Sequence, residues 1–275
     1  MWVSFFESEV MQSALFPALL TAAVASTVSV MIVAHRLAFL TVGVSHASMA
    51  GLGLALLLSW PLLPTATVFA ILVALLLAPI RQGIHEDAGT GLLFAGSMAL
   101  GILLISLADS QSVDVFGLMF GDILTVSEQD TDWFIINSIC IFVIFIVAAR
   151  TWWSLAFDAT TLVAGGVSAT PWRLLLHATV GMTVMLCIKL AGIILTTGLL
   201  VLPASCAWFW GRRLLSLWAL SLTFALTGVM GGLMISYHYD WPSGACVVLG
   251  LCILFIISWG SSWLRNRKLR PRKHL

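Results

Sequence analysis

The chain has 275 residues, of which 60% are hydrophobic and 9% charged, and its formal net charge at neutral pH is +1. Soluble globular chains carry about 25% charged residues, so this composition excludes an ordinary soluble protein and places the chain in the membrane class. At about 20 residues per crossing, the length provides for roughly eight or nine helical spans with short loops and leaves almost nothing for a soluble domain.

The first residues hold Glu7 and Glu9 where a cleavable signal would be basic, so no such signal is expected. Trp2, Phe5 and Phe6 beside these acids predict an interfacial segment over residues 1–10. The first span is expected over 11–34, ahead of His35 and Arg36. The second, over 43–59, stops at Pro61 and Pro64, which make a turn. The third runs over 65–80 and ends at Arg81, and the fourth covers 90–108. The polar connection 109–132 encloses an apolar piece, 115–126, too short to span comfortably and read as interfacial or re-entrant.

A fifth span is expected over 133–149, followed by a polar interval from Arg150 to Trp172. Residues 173–210 are too long for one crossing and are broken around Lys189, Ala191 and Gly192. They form either two short helices or one helix and a re-entrant half. Spans over 214–236 and 244–263 complete an all-α transmembrane domain over 11–263. Gly228 and Gly232 make a GxxxG stripe, read as helix packing. Thr196 and Thr197 are placed to bond carbonyls freed near the Gly198 and Pro203 breaks. The tail 264–275 is basic and suited to an anionic lipid surface rather than to nucleic acid.

Under this layout Arg36, Arg81, Arg150, Arg173, Arg212, Arg213 and the tail fall on one side, which the positive-inside rule makes cytoplasmic. Most acids, Asp122 and Asp240 among them, fall on the other. Cys140, Cys187, Cys206, Cys246 and Cys252 lie singly in apolar segments, the pattern of small buried hydrophobes rather than of disulfides or a thiolate zinc site.

One imidazole stands out. His46 lies in a stretch with no Asp, Glu, Lys or Arg between Arg36 and Arg81. An ionisable group inside a span marks a functional site by default; it also serves as a neutral residue bonding a neighbouring helix. Gly43, Ala47, Gly51 and Ala55 recur every four residues and form a small-residue stripe that lets another backbone come close.

Arg36, Phe39, Ser45, His46 and Gly51 resemble the signature of the ABC-3 family, the permeases of bacterial zinc, manganese and iron ABC importers, whose helix reads approximately R-x-x-F-x-G-D-x-x-S-H-x-x-x-P-G. Val42 stands where the family usually has Asp, and Ala50 where it often has Pro. Phe120, Gly121, Asp122, Ile123 and Leu124 resemble the family's external L-F-G-D-I-L segment. Phe157, Asp158 and Gly166 match its F-D-x-x-x-A-x-x-x-G stretch, which the resemblance makes a cytoplasmic coupling helix within 151–172. Residues 192–204 resemble its G-x-L-L-x-x-A-L-L-x-x-P-A segment, and Ser236, Asp240, Pro242 and Gly244 its S-x-x-x-D-x-P-x-G turn.

The resemblance implies a homodimer in the bacterial inner membrane, with two ABC ATPase subunits and an external metal-binding protein as partners. No G-x-x-x-x-G-K-[ST] phosphate loop occurs, so the chain is expected not to be an enzyme and ATP hydrolysis to lie in a separate subunit. The expected function is alternating-access import of a divalent transition metal, zinc favoured over manganese or iron, with no stably bound cofactor. The other class open to the sequence is a secondary transporter or channel driven by an ion gradient. His46 is the expected path residue, with His238, Asp240 and Asp122 at the external mouth. As residues, Asp122 equally suits a structural or capping role, His238 and Asp240 a structural loop, and Asp158 the N-cap of a short loop helix.

Overall fold

The computed structural model describes residues 9–80, 86–108 and 128–269, which are helical with no strand among them. The elements are α1 (Glu9–Ala34), α2 (Ala38–Leu57), α3 (Leu62–Ile80), α4 (Glu86–Leu107), α5 (Glu128–Phe157), α6 (Ala159–Ala164), α7 (Ala169–Trp208), α8 (Leu214–Tyr239) and α9 (Ser243–Leu269). The expected interfacial segment before residue 9, Arg81, the piece 115–126 with Asp122, and the tail beyond 269 lie outside the described residues. Among the described residues, seven helices are long and apolar enough to cross a membrane, while Gly91–Leu107 and Leu195–Trp208 are apolar but shorter. The expected count of eight includes the first of these stretches as a crossing, and the count of nine includes both.

Polar staples between distant parts of the chain set the helix directions. His35 Nε2 donates to the carbonyl of Trp152 at 2.9 Å, and Trp152 Nε1 donates to the carbonyl of Trp172 at 2.8 Å. The ends of α1 and α5 and the start of α7 therefore meet at one end of the bundle. Trp152 is fully buried there, its one polar atom satisfied, as a buried indole requires. Trp210 Nε1 donates to Ser258 Oγ at 2.6 Å and Arg265 donates to the carbonyl of Phe209 at 2.8 Å, which holds the turn after α7 and the last part of α9 together.

α1 lies against α5, α7 and α8. Three polar bonds tie it to α7 and α8. Trp218 Nε1 donates to Thr27 Oγ1, Ser221 Oγ to the carbonyl of Ser26, and the amide of Ala204 to Ser29 Oγ. Each bond offsets a desolvation that an unpaired polar group would not recover in an apolar surround.

Close backbone approaches fix the rest. A Cβ on Gly101 of α4 would sit 2.7 Å from Ala50 N on α2, and one on Gly51 would sit 2.7 Å from Phe69 Cβ on α3. On α8, a Cβ at Gly232 would come within 2.4 Å of Val247 Cα on α9, and Gly228 faces Leu251. The GxxxG stripe is a packing surface.

The break in the 173–210 stretch falls at Gly192, with φ 76° and ψ 169°. Thr196 Oγ1 donates to the carbonyl of Gly192 at 2.6 Å, a bond back along its own arm, whereas the expected breaks at Gly198 and Pro203 lie within continuous helix. Arg173 and Trp208 line the same cavity, so α7 turns back on itself and both its ends lie at one end of the bundle. The stretch is one full-length arm and a shorter returning one, rather than two short helices.

Among the helix C-termini that run past their expected positions, two pass an arginine. α5 continues beyond 149 to Phe157, and α9 continues beyond 263 to Leu269. A charge such as Arg150 or Arg265 ends a hydrophobic stretch without ending a helix, because its stem covers apolar surface while its head reaches water.

Candidate translocation path and coupling segment

α2 presents its polar residues economically. Thr41, Ser45 and Ser48 are buried and donate to carbonyls three residues earlier on their own helix, those of Ala38, Val42 and Ser45. These hydroxyls are thereby spent within the helix. His46 differs: it is half-buried, and its ring packs edge-on against Phe94 of α4, with centroids 4.5 Å apart and planes at 68°. Its ring nitrogens make no hydrogen bond to a described residue. The neighbouring-helix reading of His46 therefore takes the form of an aromatic contact.

The helix that carries His46 is held on two faces. Gly51 faces Ala66 and Phe69 of α3, while Met49, Ala50 and Gly53 face Gly101 and Leu104 of α4. At about 1.5 Å per residue, His46 lies roughly 12 Å into α2 from its first residue. Among the described residues, no group of three or more His, Cys, Asp and Glu side chains is placed to hold a metal ion. One helical turn before His46 stands Val42, which offers no donor.

At the end of the bundle where α1, α5 and α7 meet, α6 is a six-residue helix with both termini closed by its own sequence. Asp158 is its N-cap. The carboxylate accepts from the amide of Thr161 at 3.0 Å and from Thr160 Oγ1 at 2.9 Å. The Thr161 and Thr160 hydrogen bonds hold the Asp158 carboxyl below the usual carboxylate range. At the other terminus the amide of Gly166 bonds the carbonyl of Val163 and that of Val167 the carbonyl of Leu162. This is a Schellman closure, with Gly166 at φ 87° supplying the left-handed residue that it needs. No residue of α6 is buried. Phe157, 63% exposed, stands beside it, and with Trp153, Leu162 and Trp208 it walls a groove of about 720 Å³.

His238, in the last turn of α8, and Asp240, its C-cap, lie at the opposite end. Both are exposed, and the His238 ring packs edge-on against Tyr239 at 4.8 Å. Asp240 caps α8 with a left-handed backbone, φ 52° and ψ 37°, and Ser236 Oγ donates to the carbonyl of Trp241 at 2.6 Å across the turn. The structure thus places His46 inside a span, His238 and Asp240 together at one end, and Phe157, Asp158 and Gly166 together at the other.

A family model described as the ABC 3 transport family matches residues 7–261. The chain belongs to this family. Among relatives of this ABC 3 chain, the manganese import system permease protein ScaB of Streptococcus parasanguinis is 29% identical over 252 residues, covering 90% of this chain and 89% of that protein. A probable metal transport system membrane protein of Thermotoga maritima is 28% identical over 265 residues, 92% of each chain. Among solved structures, PsaBC from Streptococcus pneumoniae in complex with Fab superposes with a TM-score of 0.86 at 27% identity, over 94% of this chain and 95% of that one. The ABC 3 chain is accordingly a transport component rather than an enzyme, and a multi-pass protein of the bacterial inner membrane.

Residues that sequence reasoning passed over also shape this ABC 3 chain. Trp152 joins His35 to Trp172, and His177, 6% exposed, donates from Nδ1 to the carbonyl of Arg173 at 2.7 Å. The available signal was local: two imidazoles, His35 and His177, each within four residues of an arginine at a span boundary.

Proposed function

We propose that the chain is the permease subunit of an ATP-driven importer of a divalent transition metal. The observation that carries this reading is the match over residues 7–261 together with relatives whose names are those of manganese and metal transport systems. The metal is cargo, so any site on its path is weak enough to release it. His46 is the path residue. Its ring is only half covered by its own chain, which supports a second copy completing the path in a homodimer. Under the positive-inside rule, the end with Arg36, Arg173, Arg212 and Arg213 is cytoplasmic. Two ATPase subunits then grip α6 and the groove beside Phe157, and a closed, self-capped helix passes their movement on as a unit. That movement alternates the access of the path. On the far side, His238 and Asp240 lie where an external metal-binding protein delivers its ion; Asp122 has the same role by its place in the sequence. The domains follow: an interfacial segment over 1–10, a permease domain over 11–263 with its coupling region at 151–172, and a basic cytoplasmic tail.

The chemistry at His46 supports zinc. An imidazole suits zinc, whereas carboxylates suit manganese, and Val42 brings none. The names of the relatives support manganese. Uptake of labelled zinc and manganese into cells with and without the chain, with ATP depleted in parallel, tests both parts. Uptake that needs the chain and ATP is the expected result, with zinc preferred. Uptake that survives ATP depletion and collapses with the ion gradient would overturn the importer. Val42→Asp is expected to shift the competition profile toward manganese.

A further inference from the structure

A second cavity, of about 680 Å³, opens at the same end of the bundle, between the α1–α2 turn, the last part of α5 and both ends of α7. His35, Arg36, Arg173 and His177 line it, and none of its described lining residues is acidic. Its remaining wall is apolar, with Leu155 and Trp208 among the residues there.

Three features set these four basic residues in place. His35 Nε2 is held by the Trp152 carbonyl and His177 Nδ1 by the Arg173 carbonyl, which fixes the orientation of both rings. The indole of Trp152 bonds the carbonyl of Trp172, so the helices bearing the four residues are tied to one another. Arg36 takes a left-handed backbone, φ 56°, at the closure of α1, with its amide on the Val33 carbonyl and that of Leu37 on the Ile32 carbonyl. Glycine is the default residue for that position. Of the three described non-glycine residues with positive φ, Ser59 and Asp240 are short and Arg36 is long. An arginine kept where glycine fits better indicates a task for its side chain.

Two arginines lining one cavity, with no acid among its described lining residues, suit an anion. The cavity lies at the ends of the spans Ala14–Ala34, Leu62–Pro79, Asp130–Phe157 and Ala169–Ile188, which is headgroup depth. Guanidinium groups recognise phosphate by paired donors, and basic pockets between spans bind lipid headgroups. The apolar wall has no use for a free ion and suits a glycerol backbone or acyl chain. We propose that this cavity binds the phosphate group of an anionic lipid. The proposal does not depend on which ion is carried or on how transport is energised.

The test is native mass spectrometry of the full chain purified in mild detergent, titrated with phosphatidylglycerol, phosphatidylcholine or inorganic phosphate. The wild type is expected to retain phosphatidylglycerol over phosphatidylcholine, by about fivefold for each arginine engaged. Arg36→Gly with Arg173→Gln is expected to abolish the preference. Arg36→Gly alone is expected to weaken it while keeping or raising the thermal midpoint, since glycine suits φ 56°. Arg36→Lys with Arg173→Lys is expected to keep most of it, and Arg212→Gln, in the neighbouring groove, all of it. An unchanged preference in the folded double variant would overturn the proposal. Arginine-dependent binding of inorganic phosphate without lipid preference would overturn the lipid source, and so would loss of a copurifying protein partner with lipid binding unaltered.

Discussion

α2 and α6 are held in place in opposite ways. α2 is fixed from outside: Gly51 meets α3, and Met49, Ala50 and Gly53 meet α4, at distances that leave no room for a further carbon. α6 is fixed from within, by the Asp158 cap and the Gly166 closure, and buries none of its residues. A helix held by its neighbours moves only when they repack. A helix that closes its own ends keeps its shape wherever it is carried. The first arrangement suits a residue whose position along a path matters, and the second suits a handle for another subunit.

Substitutions that add or remove atoms at these two places sharpen the contrast. The largest effect is expected from Gly101→Val, whose Cβ would meet Ala50 N and Met49 C, both backbone atoms that cannot step aside. Overpacking of this kind destabilises by about 1–3 kcal/mol, read as a lowered thermal midpoint in detergent. Gly91→Ala, on the same helix with nothing within 4 Å, is expected to move the midpoint the other way, by up to about 0.5–1 kcal/mol. Equal losses at both positions would remove the case that α2 and α4 are locked by contact.

His46→Ala removes a half-buried ring and should leave the fold and any ATPase association intact while cutting metal uptake at least about tenfold. Transport at the wild-type rate would end the role of His46 on the path. Asp158→Ala should leave the global midpoint alone and speed amide hydrogen exchange across α6; Asp158→Asn should restore most of the protection. The wild-type cap also has an acid limit. Its carboxyl is held below the usual carboxylate range, so the cap is complete above that range and is lost only as pH falls through the lowered value. Exchange across α6 should therefore rise in acid in the wild type, and the Asn variant should lack that rise. An effect confined to α6 is expected from Gly166→Ala, which meets no atom within 4 Å and carries only the backbone strain of φ 87°, about 1 kcal/mol in local helix stability.

The same contrast explains what the sequence made legible. The α6 cap and closure depend on residues within a few positions of one another, so Asp158 and its short helix are readable from the chain itself. The break at Gly192 is equally local, whereas Gly198 and Pro203, read from the sequence as breaks, are held in continuous helix by the packing around them. The return of the second arm is not local. It depends on Ala204 meeting Ser29 and on Trp208 reaching the cavity beside Arg173, contacts that no spacing rule encodes. The His35 bond to Trp152 spans 117 positions, and the reading of 150–172 as a polar interval hid Trp152 inside what is the last part of α5. His46 was legible as a lone imidazole in an apolar run, but its partner Phe94 on α4 was not.

The reversal at Gly192 also bears on the lipid surroundings. The returning arm, Leu195–Trp208, extends about 21 Å, against a hydrocarbon core of roughly 30 Å. A segment this short facing lipid would force the bilayer to thin around it. Ala191 and Ile193 are buried, and a Cβ on Gly198 would sit 2.7 Å from Val248 of α9, so protein covers the turn. Acyl-chain length therefore has little purchase on this hairpin. It acts instead on the outward faces of α5 and α9, where Ile146, Val147, Leu249 and Ile256 are exposed.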